Sequence, residues 1–117
     1  MGVVYHTHFL DYFEAARTEA FRAMGLVYRE LETRGVVMPV VEANVRYRRP
    51  ARYDDRLLIE TRLPGDGTPQ VRLPTRYRVR RTGDEQTLVE GDVTLCFMDA
   101  ERRRPVRAPD DVRAIFD

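Results

Sequence analysis

Between residues 7 and 24 the apolar side chains Phe9, Leu10, Phe13, Ala16, Ala20, Phe21 and Met24 recur at steps of three and four, with Asp11, Glu14, Arg17, Glu19 and Arg22 between them. That spacing predicts one amphipathic helix with an apolar stripe facing a core. Thr7 suits the N-cap, where a side-chain oxygen accepts a free backbone N–H, and Gly25 suits the C-cap. A shorter helical segment is predicted over residues 27–34, stopped by Gly35. After Gly35 the period falls to two. Residues 36–48, 56–63, 71–81 and 87–98 read as strands, separated by turn chemistry at Tyr53-Asp54-Asp55, Pro64-Gly65-Asp66-Gly67 and Thr82-Gly83-Asp84. From Thr75 to Arg80, arginine alternates with Thr, Tyr and Val, which marks a strand with one packed and one wet face. Near the end, Ala108-Pro109-Asp110-Asp111-Val112 opens a short helix whose first turn suits proline and carboxylates.

A helix followed by four antiparallel strands predicts an α+β domain, the helix lying across the concave face of a curled sheet. At 117 residues the chain makes a single domain, 1–117, with no repeat or linker. Twenty Lys+Arg against 19 Asp+Glu leave a net charge of +1, so no global field draws nucleic acid or anionic lipid. No apolar run approaches the roughly 20 residues that span a bilayer, and no basic-then-apolar leader opens the chain. The expectation is a soluble, untargeted protein. The single cysteine, Cys96, lies inside an apolar strand, excludes an internal disulfide and fits a reducing cytoplasm. The chain contains no Cys/His cluster, phosphate-binding glycine loop or Gly-x-Ser-x-Gly turn, so metal, nucleotide and serine-esterase chemistry lack residues, and no metal or cofactor is expected. The pairs Asp54-Asp55 and Asp110-Asp111 sit where aspartate favours turns and helix starts.

The candidate chemistry gathers at the start of the long helix. Unpaired backbone N–H groups and the helix dipole favour a developing oxyanion there, and His6 stands beside them. The amides of Val4, Tyr5 and His6 are the candidate donors, and Gly2 permits close approach of a ligand to the backbone. A histidine merely packed at a capped helix start is the structural alternative. Tyr12 lines a pocket or belongs to the core. Glu14 and Arg17, three apart, form a local ion pair or hold a neighbouring subunit's strand. Around Pro50, the residues Arg48, Arg49 and Arg52 either meet phosphates at a pocket mouth or are ordinary surface arginines.

The run Val3-Val4-Tyr5-His6, followed by Tyr12-Phe13-Glu14-Ala15-Ala16-Arg17, resembles the signature of the 4-hydroxybenzoyl-CoA thioesterase-like branch of the hot-dog thioesterases. Pro50-Ala51-Arg52-Tyr53-Asp54-Asp55 resembles a second element of that family. The resemblance implies a hot-dog fold, a long central helix wrapped by a curled antiparallel sheet. It also implies hydrolysis of an acyl-CoA thioester to a carboxylic acid and coenzyme A, with His6 catalytic and Gly2, Val4, Tyr5, Tyr12 and Arg49 binding substrate. A homodimer or homotetramer with the site at the subunit interface follows from it too. In the family a catalytic carboxylate precedes the motif, and by spacing it would fall just before Met1. Two expectations result: the natural protein starts upstream, and the chain as it stands hydrolyses acyl-CoA poorly or not at all. A noncatalytic acyl-CoA or acyl-carrier binding module is the alternative. The chain departs from the family's pattern at His8, where asparagine is common, and at Phe9, where tyrosine is usual. The His-Phe-Pro-Gly element of the hot-dog dehydratases is missing.

Overall fold

The computed structural model describes residues 6–52, 54–63 and 69–116, with side chains from residue 8 onward. The periodic segment forms α1 (His6–Met24), 19 residues and therefore about 28 Å long. Its stripe is read off directly: Phe9, Phe13 and Phe21 are buried at steps of four and eight. Gly25, at φ 95°, ends the helix. Its amide bonds Arg22 O at 3.0 Å and that of Leu26 bonds Phe21 O at 2.9 Å, the Schellman closure that a left-handed residue permits. Because α1 begins at His6, Thr7 lies inside its first turn and not at the N-cap expected of it; the Thr7 side chain, Tyr53 and the turn around Gly65 lie outside the described residues.

The chain continues through α2 (Tyr28–Thr33), β1 (Val36–Val37), β2 (Val40–Tyr47), β3 (Leu57–Arg62), β4 (Arg72–Arg81), β5 (Thr87–Cys96), β6 (Met98–Asp99), β7 (Arg104–Pro105) and α3 (Asp110–Ile115). Two of the predicted strands are divided. Residues 36–48 break at Pro39, which has no N–H to give a ladder although its carbonyl accepts Cys96 N at 3.0 Å. Residues 87–98 break at Phe97, whose amide leaves the ladder for Val71 O and whose carbonyl takes Val106 N. The fragments on the far side of each break, β1 and β6, join β7 in a small sheet ordered β1-β6-β7.

The main sheet is ordered β2-β5-β4-β3, antiparallel throughout. Its register sorts side chains by face: Leu73, Thr75, Tyr77 and Val79 of β4 stand opposite Leu95, Val93, Gly91 and Val89 of β5. All eight are buried, and α1 packs on them. The Phe13 ring stacks on Tyr77 with centroids 4.5 Å apart. It also fills the space above Gly91, where an added Cβ would sit 2.2 Å from Phe13 Cε2. Helix and sheet approach this closely only because residue 91 has no side chain.

The opposite face carries charge. One cross-strand row runs Arg46, Glu90, Arg78, Glu60, alternating in sign. Arg78 and Arg80 share Glu60 at 3.0 and 2.9 Å, and Arg46 reaches Asp92 at 2.8 Å. The alternation in residues 75–80 thus separates a buried apolar face from a wet ionic one.

Candidate functional site

The described part of the site lies one helical turn into α1. Phe9 is 1% exposed and packs edge-on to Tyr12 (5.6 Å between centroids) and to Tyr47 (6.0 Å). Beside it opens a cavity of about 320 Å³ lined by Phe9, Tyr47, Arg48, Arg49, Pro50, Ala51 and Val89. Thus the start of the long helix and the Pro50 loop, far apart in sequence, meet at one concavity.

Local chemistry holds the loop in place. As β2 ends, the amides of Arg48 and Arg49 both donate to Leu88 O, at 2.8 and 3.1 Å. Pro50 then cannot extend the ladder, and its carbonyl is taken by Arg81 Nη2 at 3.0 Å. Asp55 closes the loop, accepting Arg52 N at 2.8 Å and Arg81 Nε at 3.0 Å. The Arg52 amide and then the Arg81 guanidinium hold the Asp55 carboxyl below its ordinary range.

The three candidate arginines separate here. Arg48 Nη2 pairs with Glu90 on the ionic face at 3.4 Å. Arg52 does not line the cavity. Arg49 lines it and makes no ion pair with a described carboxylate, leaving a guanidinium for an incoming anion. Tyr47, half exposed at the rim, has its phenol pushed upward by burial, so it stays a neutral hydroxyl. Among the described residues, the cavity lining includes no carboxylate.

Of the residues expected in the site, Arg49 is in the lining and Tyr12 stands behind Phe9, half-buried, without lining the cavity itself. The backbone of His6 opens α1. Its side chain and Gly2, Val4 and Tyr5 lie outside the described residues. His8 is half-buried, its ring centroid 6.3 Å from that of Tyr12. The expected Glu14–Arg17 pair is not formed. Arg17 is 6% exposed and donates instead to Tyr77 Oη at 2.9 Å and Tyr28 Oη at 3.2 Å, because it occupies the stripe position between Phe13 and Phe21 and must point at the sheet. Sequence reasoning missed Tyr47 as a lining residue; its signal was the helix-facing parity with Val45 in β2.

The sequence model of the Thioesterase-like superfamily matches residues 1–116. The acyl-CoA thioester hydrolase YbgC of Escherichia coli is 32% identical over 117 residues, which cover 98% of this chain and 84% of that protein. A putative acyl-CoA thioesterase of Bacillus subtilis, YneP, is 36% identical over 61 residues; the matched part spans 52% of this chain and 44% of that relative. Among solved structures, the hypothetical protein TT1821 from Thermus thermophilus superposes with a TM-score of 0.86 at 36% identity, over 99% of this chain and 85% of that one.

Proposed function

The chain belongs to the Thioesterase-like superfamily, and from that membership we propose that it is an acyl-CoA thioesterase, releasing a carboxylic acid and coenzyme A. The observation that carries this reading is the likeness to an acyl-CoA thioester hydrolase along nearly the whole chain. The cavity in the first turn of α1 supports it, since a largely apolar pocket near a helix N-terminus suits a thioester whose carbonyl must be polarised.

In this reading the acyl group lies against Phe9, Tyr47 and Val89. The thioester oxygen faces the amides of Val4, Tyr5 and His6, with Gly2 allowing the approach and the His6 imidazole orienting the reacting group. Water attacks the carbonyl carbon, the tetrahedral oxyanion is held by the amides, and the C–S bond breaks as coenzyme A leaves, the proton given up by the water ending on its thiolate sulfur. Arg49 takes a phosphate at the mouth. Arg49→Ala then raises KM for acyl-CoA about tenfold, the loss of one charge-assisted contact, with kcat little changed.

The finer architecture belongs to the same proposal: a hot-dog arrangement in which the main sheet curls around α1, and a homodimer or homotetramer with the site at the subunit boundary. Among the described residues β2 pairs only with β5, and it exposes Val40 (50%), Val41 (45%) and Tyr47 (50%) along its open side. An open edge with exposed apolar side chains favours a second copy. Among the described residues no helix is long and apolar enough to cross a membrane, and we place the protein in the cytoplasm.

The test pairs two measurements on the 117-residue chain: calorimetric titration with a nonhydrolysable acyl-CoA thioether, and release of the coenzyme A thiol from acyl-CoA. The expected outcome is thioether binding and release above the buffer rate, slow because the described lining lacks a carboxylate. Binding without release would make the protein a binding module. Neither binding nor release would refute the reading.

A further inference from the structure

Two arginines on the outer face of the main sheet stand directly opposite each other: Arg62 of β3 is the register partner of Arg76 of β4. Side chains placed this way have Cβ atoms about 5 Å apart, and like charges there repel. The neighbouring carboxylates do not resolve the conflict. Asp92, the partner of Arg76 on β5, is held by Arg46 at 2.8 Å and lies 3.4 Å from Arg76 Nε. Glu90 is shared by Arg46 and Arg48, and Glu60 by Arg78 and Arg80. Arg62 makes no ion pair with a described carboxylate, and the Arg76 side chain is 80% exposed.

Both arginines line a cavity of about 370 Å³ together with Arg46, Arg78, Glu90 and Asp92, over the buried positions Tyr77 and Gly91. Four arginines against two carboxylates leave this lining two positive charges in surplus. Glu60, just outside it, does not cancel them, since it also takes Arg80. The cavity opens on the face turned away from α1 and shares no lining residue with the one beside Phe9. Its two unmatched arginines sit on β3 and β4, across β5 from the β2 edge, so a second copy paired along β2 leaves them open to water.

We propose that Arg62 and Arg76 bind the dianionic phosphate group of a small hydroxylated phosphate monoester, a sugar or polyol phosphate. A tetrahedral phosphate accepts paired N–H groups from guanidinium forks on two sides, whereas a planar carboxylate is filled by one. Its two charges match the surplus of the lining. Glu90 and Asp92 accept from hydroxyls on the body of the ester. A nucleobase finds nothing to stack on, because the aromatic residue among the described lining, Tyr77, is 3% exposed and its ring is stacked on Phe13. The bound anion lies between two like charges, so it relieves their repulsion and stabilises the fold as the site fills.

The test titrates the protein with glycerol phosphate, glycerol, adenosine monophosphate and acetate at matched ionic strength, following backbone amide signals and thermal unfolding. Glycerol phosphate is expected to shift the amides of Arg62, Arg76 and Asp92 and to raise the unfolding midpoint. Glycerol and acetate bind at least about tenfold more weakly, the worth of one charge-assisted contact. Adenosine monophosphate binds no more tightly than glycerol phosphate. Arg62→Gln weakens glycerol phosphate about tenfold. Arg62→Glu turns the like pair into an opposite one, so it abolishes binding while raising the midpoint of the ligand-free protein. Arg49→Ala, in the other cavity, leaves binding unchanged. Equal affinity for acetate, binding that survives Arg62→Glu, or shifts centred on residues 48–51 would overturn the site. Adenosine monophosphate bound about tenfold more tightly would overturn the ligand class. A wild-type protein that binds no glycerol phosphate would overturn both.

Discussion

The two faces of the main sheet carry arginines under opposite conditions. On the outer face, Arg78 and Arg80 share Glu60 in contact with water, and Arg46 divides itself between Glu90 and Asp92. Against the inner face lies Arg17 of α1, held by two phenols among aromatic rings and paired with no carboxylate among the described residues. Outside, each charge is solvated, so an ion pair changes stability little. Inside, steric fit and hydrogen-bond satisfaction decide everything.

The largest expected break in this contrast is steric. Gly91→Ala places a methyl group where Phe13 now sits, and that ring is pinned between the strand and Tyr77. Overpacking of a filled core costs about 1–3 kcal/mol, and here the helix itself must lift. A chemical denaturation series should show the lost stability with little change in slope. An alanine variant as stable as the parent would mean that α1 does not press on β5 at this point. Exchanging a hydroxyl for a methyl on the outer face, by Thr94→Val, should change stability far less.

Arg17→Met comes next and separates charge from shape. The replacement fills similar volume, and Tyr77 keeps its donation to Thr75, so no buried donor is orphaned. Stability should move by less than about 1 kcal/mol, in either direction, since exchange of a buried charge for an apolar side chain is close to neutral. A loss of several kcal/mol in thermal unfolding would show that the guanidinium, and not its volume, holds the two tyrosines in place.

The same contrast explains what was legible in the chain. The inner face wrote itself into residues 75–80 as strict alternation, and the stripe of α1 into the phenylalanines four and eight apart. Breaks at Pro39 and Phe97 were harder, because they depend on where β1 and β6 find partners in the small sheet. The site was half legible. That Arg48 and Arg49 lie together could be read from the Pro50 loop, but that Arg48 is drawn toward Glu90 depends on a residue of another strand. Of the two readings that spacing offers for Glu14 and Arg17, the local ion pair is not formed, and the hold on a neighbouring subunit's strand is not tested by a single chain. The place of Arg17 on the stripe with Phe9, Phe13 and Phe21 was the better signal, and burial overruled the local attraction.

A smaller effect concerns alkaline pH. Burial pushes the Tyr28 phenol above its ordinary value of 10.0, outweighing the opposing hydrogen bond from Arg17. A group whose pKa is raised by folding contributes stability present below its unfolded value and lost as pH rises through the folded one. The wild type should therefore weaken above pH 10.0 more steeply than Tyr28→Phe, which has no phenol to ionise. For Arg17, burial pulls downward, but the hydrogen bonds from its guanidinium to Tyr77 and Tyr28 win and raise it, so the cation persists throughout this window. Parallel slopes for the two proteins between neutrality and strong alkali would remove Tyr28 from the account.

The smallest effect belongs to the outer face and has the opposite sign in pH. Hydrogen bonding from Arg80 first, with Arg78 beside it, holds Glu60 below its ordinary 4.5. A depressed carboxylate contributes stability present above its unfolded pKa and lost as pH falls through the folded value, so the contribution is whole at neutrality and disappears in acid. Because Glu60 is open to solvent, water and salt share its charge, and Glu60→Gln should shift the neutral-pH unfolding midpoint only slightly. Near neutrality the mutant should be marginally less stable than wild type, and in acid below the ordinary glutamate range the difference should close. A gap that stayed constant from neutral to acid pH would show that the lost interaction is not the ionised pair, and would erase the distinction between a solvated ionic face and a buried one.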